Sequence, residues 1–330
     1  MVREITVPKL KNPIFILAWP GMGEVAYKSA LFLREALRFK MFAKLEAENF
    51  FKPAAVVVEK GIVELPTIPA GFFYYFKAPK AQKEIPDLLL FVGEAQPPLE
   101  KGEELARVII EYAKKFKPQM IISFAAKPEA IDHKSEPSLW VVATHSQLLE
   151  MFKDFDIKVL PQGQISGLNG LILGVAKQFK LKGVCLLAEI PIYAVQIENP
   201  KASGKILKVL DKYLHLNLDL IPLTERAKFI EEEIDKLIAY LKGKPLSQGP
   251  LPLSEEDIEK IKKDLAAYTK LPQSAREKIE ALFKEAKRDI SKARELKEEL
   301  DRWNVYREYE DRFLDLFRKE KEKEKDKDNH

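Results

Sequence analysis

Residues Gly163 to Pro191, GQISGLNGLILGVAKQFKLKGVCLLAEIP, decide the fold. Five of the fourteen glycines of the chain lie here, and the stretch divides into an opening turn, a helix and a buried strand. Gly163, Gly167 and Gly170 fall where a loop tightens and a helix begins, positions that accept positive φ or close backbone approach more readily than any side-chained residue. Leu171 to Phe179 carries a helical apolar pattern, in which Gly174 is expected to let one face pack closely. Gly183 ends that unit. Val184 to Leu187 is then a continuous apolar run of strand length, the pattern of an interior strand covered on both sides. Loop, helix and strand in this order make one unit of a layered α/β domain.

The same alternation extends outward. Ile14 to Ala18 is an apolar strand, Trp19-Pro20-Gly21-Met22-Gly23 a turn, and Glu24 to Phe39 has helical periodicity. Ala54 to Val58 and Ile62 to Leu65 flank Glu59-Lys60-Gly61, the pattern of a short hairpin whose glycine suits a left-handed position. Gly71 to Phe76 is strongly β-prone. Asp87 to Val92 and Gln119 to Phe124 are apolar strands on either side of the helix Leu99 to Phe116, which indicates βαβ units and parallel pairing. Leu139 to Ala143 is another strand, followed by a helix around His145 to Phe152. Asn199 to Leu214 and Leu223 to Leu241 complete the helices.

At 330 residues the chain is long enough for a substantial core. Its 55 Lys and Arg against 51 Asp and Glu leave a formal charge of +4, which speaks against a nucleic-acid binder with a strongly basic face. The single cysteine, Cys185, permits no disulfide within one chain, in keeping with a cytoplasmic location. The apolar runs are too short to span a bilayer, and no membrane partner is expected.

Composition changes near Gly243. All fourteen glycines precede residue 254, whereas 254–330 holds 43 charged residues out of 77. We therefore expect an α/β domain over 1–243, a Pro-rich linker over 244–253 (KPLSQGPLPL), a helical extension over 254–318 and a disordered charged tail over 319–330. Ser254-Glu255-Glu256-Asp257 and Ser274-Ala275-Arg276-Glu277 resemble capping boxes. From Ile279 to Tyr306 apolar residues recur at steps of three and four, a coiled-coil-like stripe of about four heptads. Ile279, Phe283, Ile290, Leu296, Leu300 and Trp303 on that stripe are expected to meet a partner surface.

The chemistry-bearing candidates are sparse. Gly21 and Gly23, after a strand and before a helix, suit either an anion site or a tight turn, and no third glycine completes a dinucleotide fingerprint. Glu94 and Glu189 each follow a buried strand, where acid-base work or structural pairing is open to them. Asp132-His133 and His145 lack metal-ligand spacing and read as surface or helix-start residues. Cys185 sits among Val184, Leu186 and Leu187, a setting for packing rather than thiolate chemistry. Ser166 lacks a nucleophile elbow, because Gln164 stands where its first glycine belongs. No catalytic residue, cofactor or metal is assigned.

Taken together, G-x-I-x-G-x-x-G-x-x-x-G from Gly163 to Gly174, Glu189 before Pro191, N-P-K-A-S at Asn199 to Ser203, P-G-M-G-E-V at Pro20 to Val25 and L-F-V-G-E-A-Q-P at Leu90 to Pro97 resemble the proteasome assembly chaperone family, second-subunit type. The resemblance spans roughly residues 10 to 240. It implies a three-layer, phosphorylase/hydrolase-like α/β/α sandwich, self-association into a homo-oligomer with a trimer first among the options, and proteasome α-type subunits or another protein complex as partners. It implies no enzyme activity. Some relatives dock through a terminal hydrophobic-Tyr-any tripeptide, whereas this sequence ends Asp328-Asn329-His330. Two functions follow: a non-enzymatic assembly or scaffold protein, or a small-molecule or anion-binding enzyme that uses the Gly21 to Gly23 turn.

Overall fold

Ile14 to Ala18 are all buried, so this strand is covered on both faces and needs helices on each. The computed structural model describes residues 1–53, 55–241, 273–303, 305, 306, 309, 310 and 312–317. The chain divides into two compact units, Met1–Tyr268 and Thr269–His330.

In the first unit the strands are β1 (Val2–Glu4), β2 (Ile14–Ala18), β3 (Lys40–Leu45), β4 (Val57–Glu59), β5 (Ile62–Glu64), β6 (Gly71–Phe76), β7 (Leu88–Gly93), β8 (Met120–Glu129), β9 (Leu139–Ala143), β10 (Lys158–Val159) and β11 (Gly183–Pro191). Its α-helices are α1 (Val25–Ala36), α2 (Leu99–Ala113), α3 (Leu168–Gln178), α4 (Pro200–Leu214) and α5 (Ile221–Leu241). Nine strands form one sheet in the order β1-β3-β6-β7-β2-β8-β11-β9-β10, while β4 and β5 pair only with each other. The inner run β7, β2, β8, β11 is parallel. Antiparallel strands flank it, with β6, β3 and β1 beyond β7 and β9 beyond β11.

Side-chain alternation divides the core into two halves. Phe15, Leu17 and Trp19 share one apolar cluster with Leu105 and Ile109 of α2 and Leu168 and Ile172 of α3. The intervening Ile14, Ile16 and Ala18 point to the other face, where α1 packs on α4 and α4 on α5. Ser29 and Ser203, both fully buried, donate to the same Val25 carbonyl at 2.7 and 3.3 Å, which holds α1 and α4 close. The result is a three-layer α/β/α sandwich.

The deciding stretch folds as loop, helix and interior strand, with α3 at 168–178 and β11 hydrogen-bonded on both sides. Gly167 starts α3 at φ +76°, and a Cβ on Gly170 would lie 2.5 Å from the Ile165 carbonyl oxygen. Gly174 does not pack as expected. It shares the solvent face of α3 with Leu171, Lys177 and Gln178, and a Cβ there would meet open space. Cys185 is fully buried on β11, and burial pushes its thiol up to about 12.

Three local readings change. The helix after the Gly21 to Gly23 turn ends at Ala36, and Arg38 at φ +52° reverses the chain into β3, a strand whose KMFAKL pattern is short enough to merge with the preceding helical period. The hairpin turn is Lys60-Gly61, both at positive φ, with Glu59 opposite Ile62. The segment Ser146–Phe152 winds as a 3-10 helix.

The second unit contains α6 (Gln273–Ala286), a 3-10 turn Ile290–Lys292 and α7 (Ala293–Arg302). The expected continuous stripe is broken here. The Asp289 carboxylate accepts from the Ser291 N–H at 3.0 Å, a cap that restarts the helix and lets α7 fold back on α6. Ile279, Phe283, Leu296 and Leu300 are fully buried in one cluster, with Ile290 and Trp303 packed at its margin and Val305, Phe313 and Leu316 completing it. The seam is thus buried within one cluster of its own unit. Glu299, almost fully buried, accepts from Lys278 Nζ at 2.6 Å and Trp303 Nε1 at 2.9 Å, which satisfies its charge inside the cluster. The linker 244–253, the first capping box at Ser254 and the tail 319–330 lie outside the described residues.

Two measurements check these cores. Phe283→Ala should cost the second unit roughly 3–5 kcal/mol, seen as loss of helical circular dichroism at a lower temperature than in the wild type; an unchanged melt would show that the ring is not a core residue. The Cys185 thiol should react with Ellman's reagent only as the first unit unfolds, and immediate reaction of the native protein would contradict its burial.

Candidate functional site

Open α/β sheets place ligands outside the carboxyl ends of parallel strands, where adjacent crossovers leave to opposite faces. Here that point lies between β2, which leads to α1, and β7, which leads to α2. The chain fills it with its own side chains. Asn169, on the first turn of α3, accepts from the Trp19 N–H and donates to the Trp19 carbonyl, both at 3.0 Å, in the manner of a neighbouring strand. Gln96, just beyond β7, donates to the Pro20 carbonyl and accepts from the Leu168 N–H, both at 2.9 Å. The Trp19 indole lies over Gly93, where a Cβ would come within 2.3 Å of the ring.

The Gly21 to Gly23 turn is similarly committed. Gly23 adopts φ +61°, donates to the Val195 carbonyl at 2.7 Å and accepts from the Asn199 N–H at 2.8 Å. Gly21 is exposed beside the Asn169 amide. Glu24 follows at the start of α1. Burial raises its carboxyl above the ordinary range, Lys28 opposes this and the nearby Glu198 adds to it. Glu198 is itself paired with Lys28 at 3.4 Å and with Arg226, so cations as well as carboxylates stand beside this turn.

Glu94 and Glu189 are held apart by the sheet. Their strands, β7 and β11, are separated by β2 and β8, three strand spacings or about 14 Å. The Glu94 carboxylate accepts from the Ala70 N–H at 2.8 Å. Glu189 accepts from the Trp140 indole N–H at 2.8 Å and from the Ser138 N–H at 3.2 Å. Burial raises the Glu189 carboxyl, but the Trp140 and Ser138 hydrogen bonds and the charge of Lys127 outweigh it, and the group titrates below its ordinary 4.5. Each carboxylate fastens a neighbouring strand or loop.

His133 departs from its expected surface role. It is buried, its Nδ1 lies 2.8 Å from Tyr193 Oη, and its Nε2 lies 2.9 Å from Asp235 Oδ1. An ionised Asp235 only accepts, so Nε2 donates to it. The phenol oxygen also accepts from the His133 N–H at 2.8 Å. This knot fastens the loop after β8 to α5. Its members lie 60 and 102 residues away in sequence, and no local pattern announces them. His145 remains exposed at the start of the 3-10 helix, with Thr144 Oγ1 at 2.8 Å from its Nδ1. Ser166 is exposed in the loop before α3. A shallow hollow lined by Phe155, Asp211, Tyr213 and His215 lies at the C-terminal end of α4. Among the described residues, no helix is long and apolar enough to cross a membrane, and no cluster of His, Cys, Asp or Glu is placed to hold a metal ion.

A domain whose switch point is closed by Asn169 and Gln96 invites comparison with known proteins of the same fold. Residues 15–238 match the sequence pattern of the PAC2 family. The chain belongs to the PAC2 family. Among solved structures it is similar to PbaB of Pyrococcus furiosus, described as an archaeal proteasome activator, with 29% identity, a TM-score of 0.62 and coverage of 72% of this chain and 98% of PbaB. PbaA of the same organism, described as an archaeal homologue of proteasome-assembly chaperone, shares the fold at 24% identity and a TM-score of 0.55, covering 72% of this chain and 96% of PbaA. An uncharacterised protein of Methanocaldococcus jannaschii is 26% identical over 272 residues, 79% of this chain and 98% of the relative. The motifs from Pro20 to Ser203 that carried the family resemblance all lie within the matched PAC2 region.

The role of Glu189 has a pH signature. A carboxyl whose folded value is depressed contributes stability above its unfolded value, and loses that contribution as pH falls through the folded value. Glu189→Gln should therefore lower denaturant stability by on the order of 1 kcal/mol near neutral pH, with the gap to wild type narrowing as pH drops below 4.5. A gap independent of pH would mean that the charge of Glu189 is irrelevant.

Proposed function

We propose that this PAC2 protein is a non-enzymatic, proteasome-related assembly chaperone or scaffold that acts through protein–protein contacts in the cytoplasm. The observation that carries this reading is the closed switch point. Where a sheet of this kind would admit a ligand, Asn169 and Gln96 spend their amides on the Trp19, Pro20 and Leu168 backbone. Glu94 and Glu189, on separated strands, are bound to backbone and indole N–H groups instead of facing a common substrate. A domain arranged in this way offers its exterior surface as its means of action. The similarity to PbaB, described as a proteasome activator, directs the choice of partner toward proteasome α-type subunits. Self-association belongs to the same proposal, with a homo-oligomer as the working state and a trimer as the first option.

Mixing the purified full chain with archaeal proteasome α-type subunits tests this reading. Sedimentation should show a co-migrating species at micromolar concentration that neither component forms alone. Independent migration of correctly assembled α-type subunits and of this chain would overturn the partner assignment.

A further inference from the structure

The β4–β5 hairpin stands apart from the nine-stranded sheet, and its apolar face is uncovered. Val58 lies opposite Val63 in the ladder, while Val57 faces Glu64 and Glu59 faces Ile62. Opposed residues share a face and successive residues alternate. Val56 and Leu65, one step beyond the ladder, therefore join Val58 and Val63 on one side. Val57, Glu59, Ile62 and Glu64 lie on the other. Both sides are exposed, and on the all-aliphatic one Val56 is 53% accessible, Val58 61%, Val63 61% and Leu65 73%. An isolated two-stranded hairpin is marginal in water, and an antiparallel sheet ordinarily turns its apolar face toward a core.

We propose that this hairpin is a self-association arm, packing its Val56, Val58, Val63 and Leu65 face against the same face of neighbouring copies of this chain about a common symmetry axis. The proposal rests on the homo-oligomer reading and adds the surface that makes it. Charge selects this occupant. The aliphatic face carries no ionisable group, so identical faces meet without opposing like charges, while Glu59 and Glu64 of every copy point outward to water. A lipid surface fits poorly, because Glu59 and Lys60 at the tip would lead the insertion. Four aliphatic side chains supply an apolar patch on the order of a few hundred Å². A stable interface buries about 800 Å² per partner, so the hairpins form its apolar centre and adjoining surface its rim.

Placement supports the role. The arm leaves the body between Leu45 of β3 and Gly71 of β6, which are paired residues in the sheet. The turn residues Lys60 and Gly61, both at positive φ, fix its register.

The experiment uses the full chain. Cys185 is fully buried, so Val58→Cys introduces one accessible thiol. On mild oxidation it should give disulfide-linked dimers on a non-reducing gel, whereas Glu59→Cys, on the opposite face, should not. Val58→Lys should lower the mass found by light scattering to that of a single chain, with circular dichroism unchanged because the residue is exposed. An oligomeric wild type whose Val58→Cys variant fails to cross-link would overturn the arm and leave the homo-oligomer reading standing. Should Val58→Lys fail to fold, the cysteine result decides alone. A monomeric wild type at every concentration would overturn both; slow labelling of its Val58→Cys thiol would show the hairpin covered by its own chain, and flotation with phosphatidylcholine vesicles would show a lipid surface as its partner.

Discussion

The body turns on the pairing of the Asn169 amide with the Trp19 backbone. Beyond Ala18 the ladder of β2 ends while the chain is still buried, and Trp19 would otherwise keep an unpaired N–H and an unpaired carbonyl in the core. Leaving such groups unsatisfied costs about 1–3 kcal/mol each. Asn169 answers both with one side chain, as a strand would, and so pins the start of α3 to the end of β2. Gln96 extends the same join from Pro20 to Leu168. Gly167 at positive φ and Gly170 against Ile165 let the loop before α3 tighten enough for Asn169 to reach.

Closing that point has a functional consequence. An open doubly wound sheet uses the crevice at its strand ends for a ligand, and this domain uses it for internal hydrogen bonds. Polar side chains elsewhere in the sheet follow the same rule. Glu189 links β11 to Trp140 of β9 and to the backbone before it, and His133 links the loop after β8 to Tyr193 and Asp235. Glu189 and His133 each make hydrogen bonds that hold loops to the sheet.

The second unit shows the same economy in apolar form. Its charged composition and recurring Ile, Phe and Leu positions read as a seam that needs a partner, yet a capped break at Asp289 lets two short helices bury that seam against each other. The apolar surface left uncovered in the described residues lies elsewhere, notably on the β4–β5 hairpin.

The sequence by itself determined the layered α/β class, the parallel inner strands and the burial of Cys185, because these depend on local periodicity: continuous apolar runs for strands covered on both faces and three-to-four spacing for helices. It also determined that Gly167 and Gly170 belong to a tight helix start, since few other residues tolerate that backbone. Tertiary structure alone decided that Gly174 faces solvent, that His133 is buried, that Glu94 and Glu189 stand three strands apart, and that the stripe from Ile279 to Trp303 closes on itself. The physical reason is range. Each of these outcomes depends on which distant segment lies opposite a residue, Asn169 against Trp19 or Asp235 against His133, and a one-dimensional pattern records the period of a face without recording what covers it.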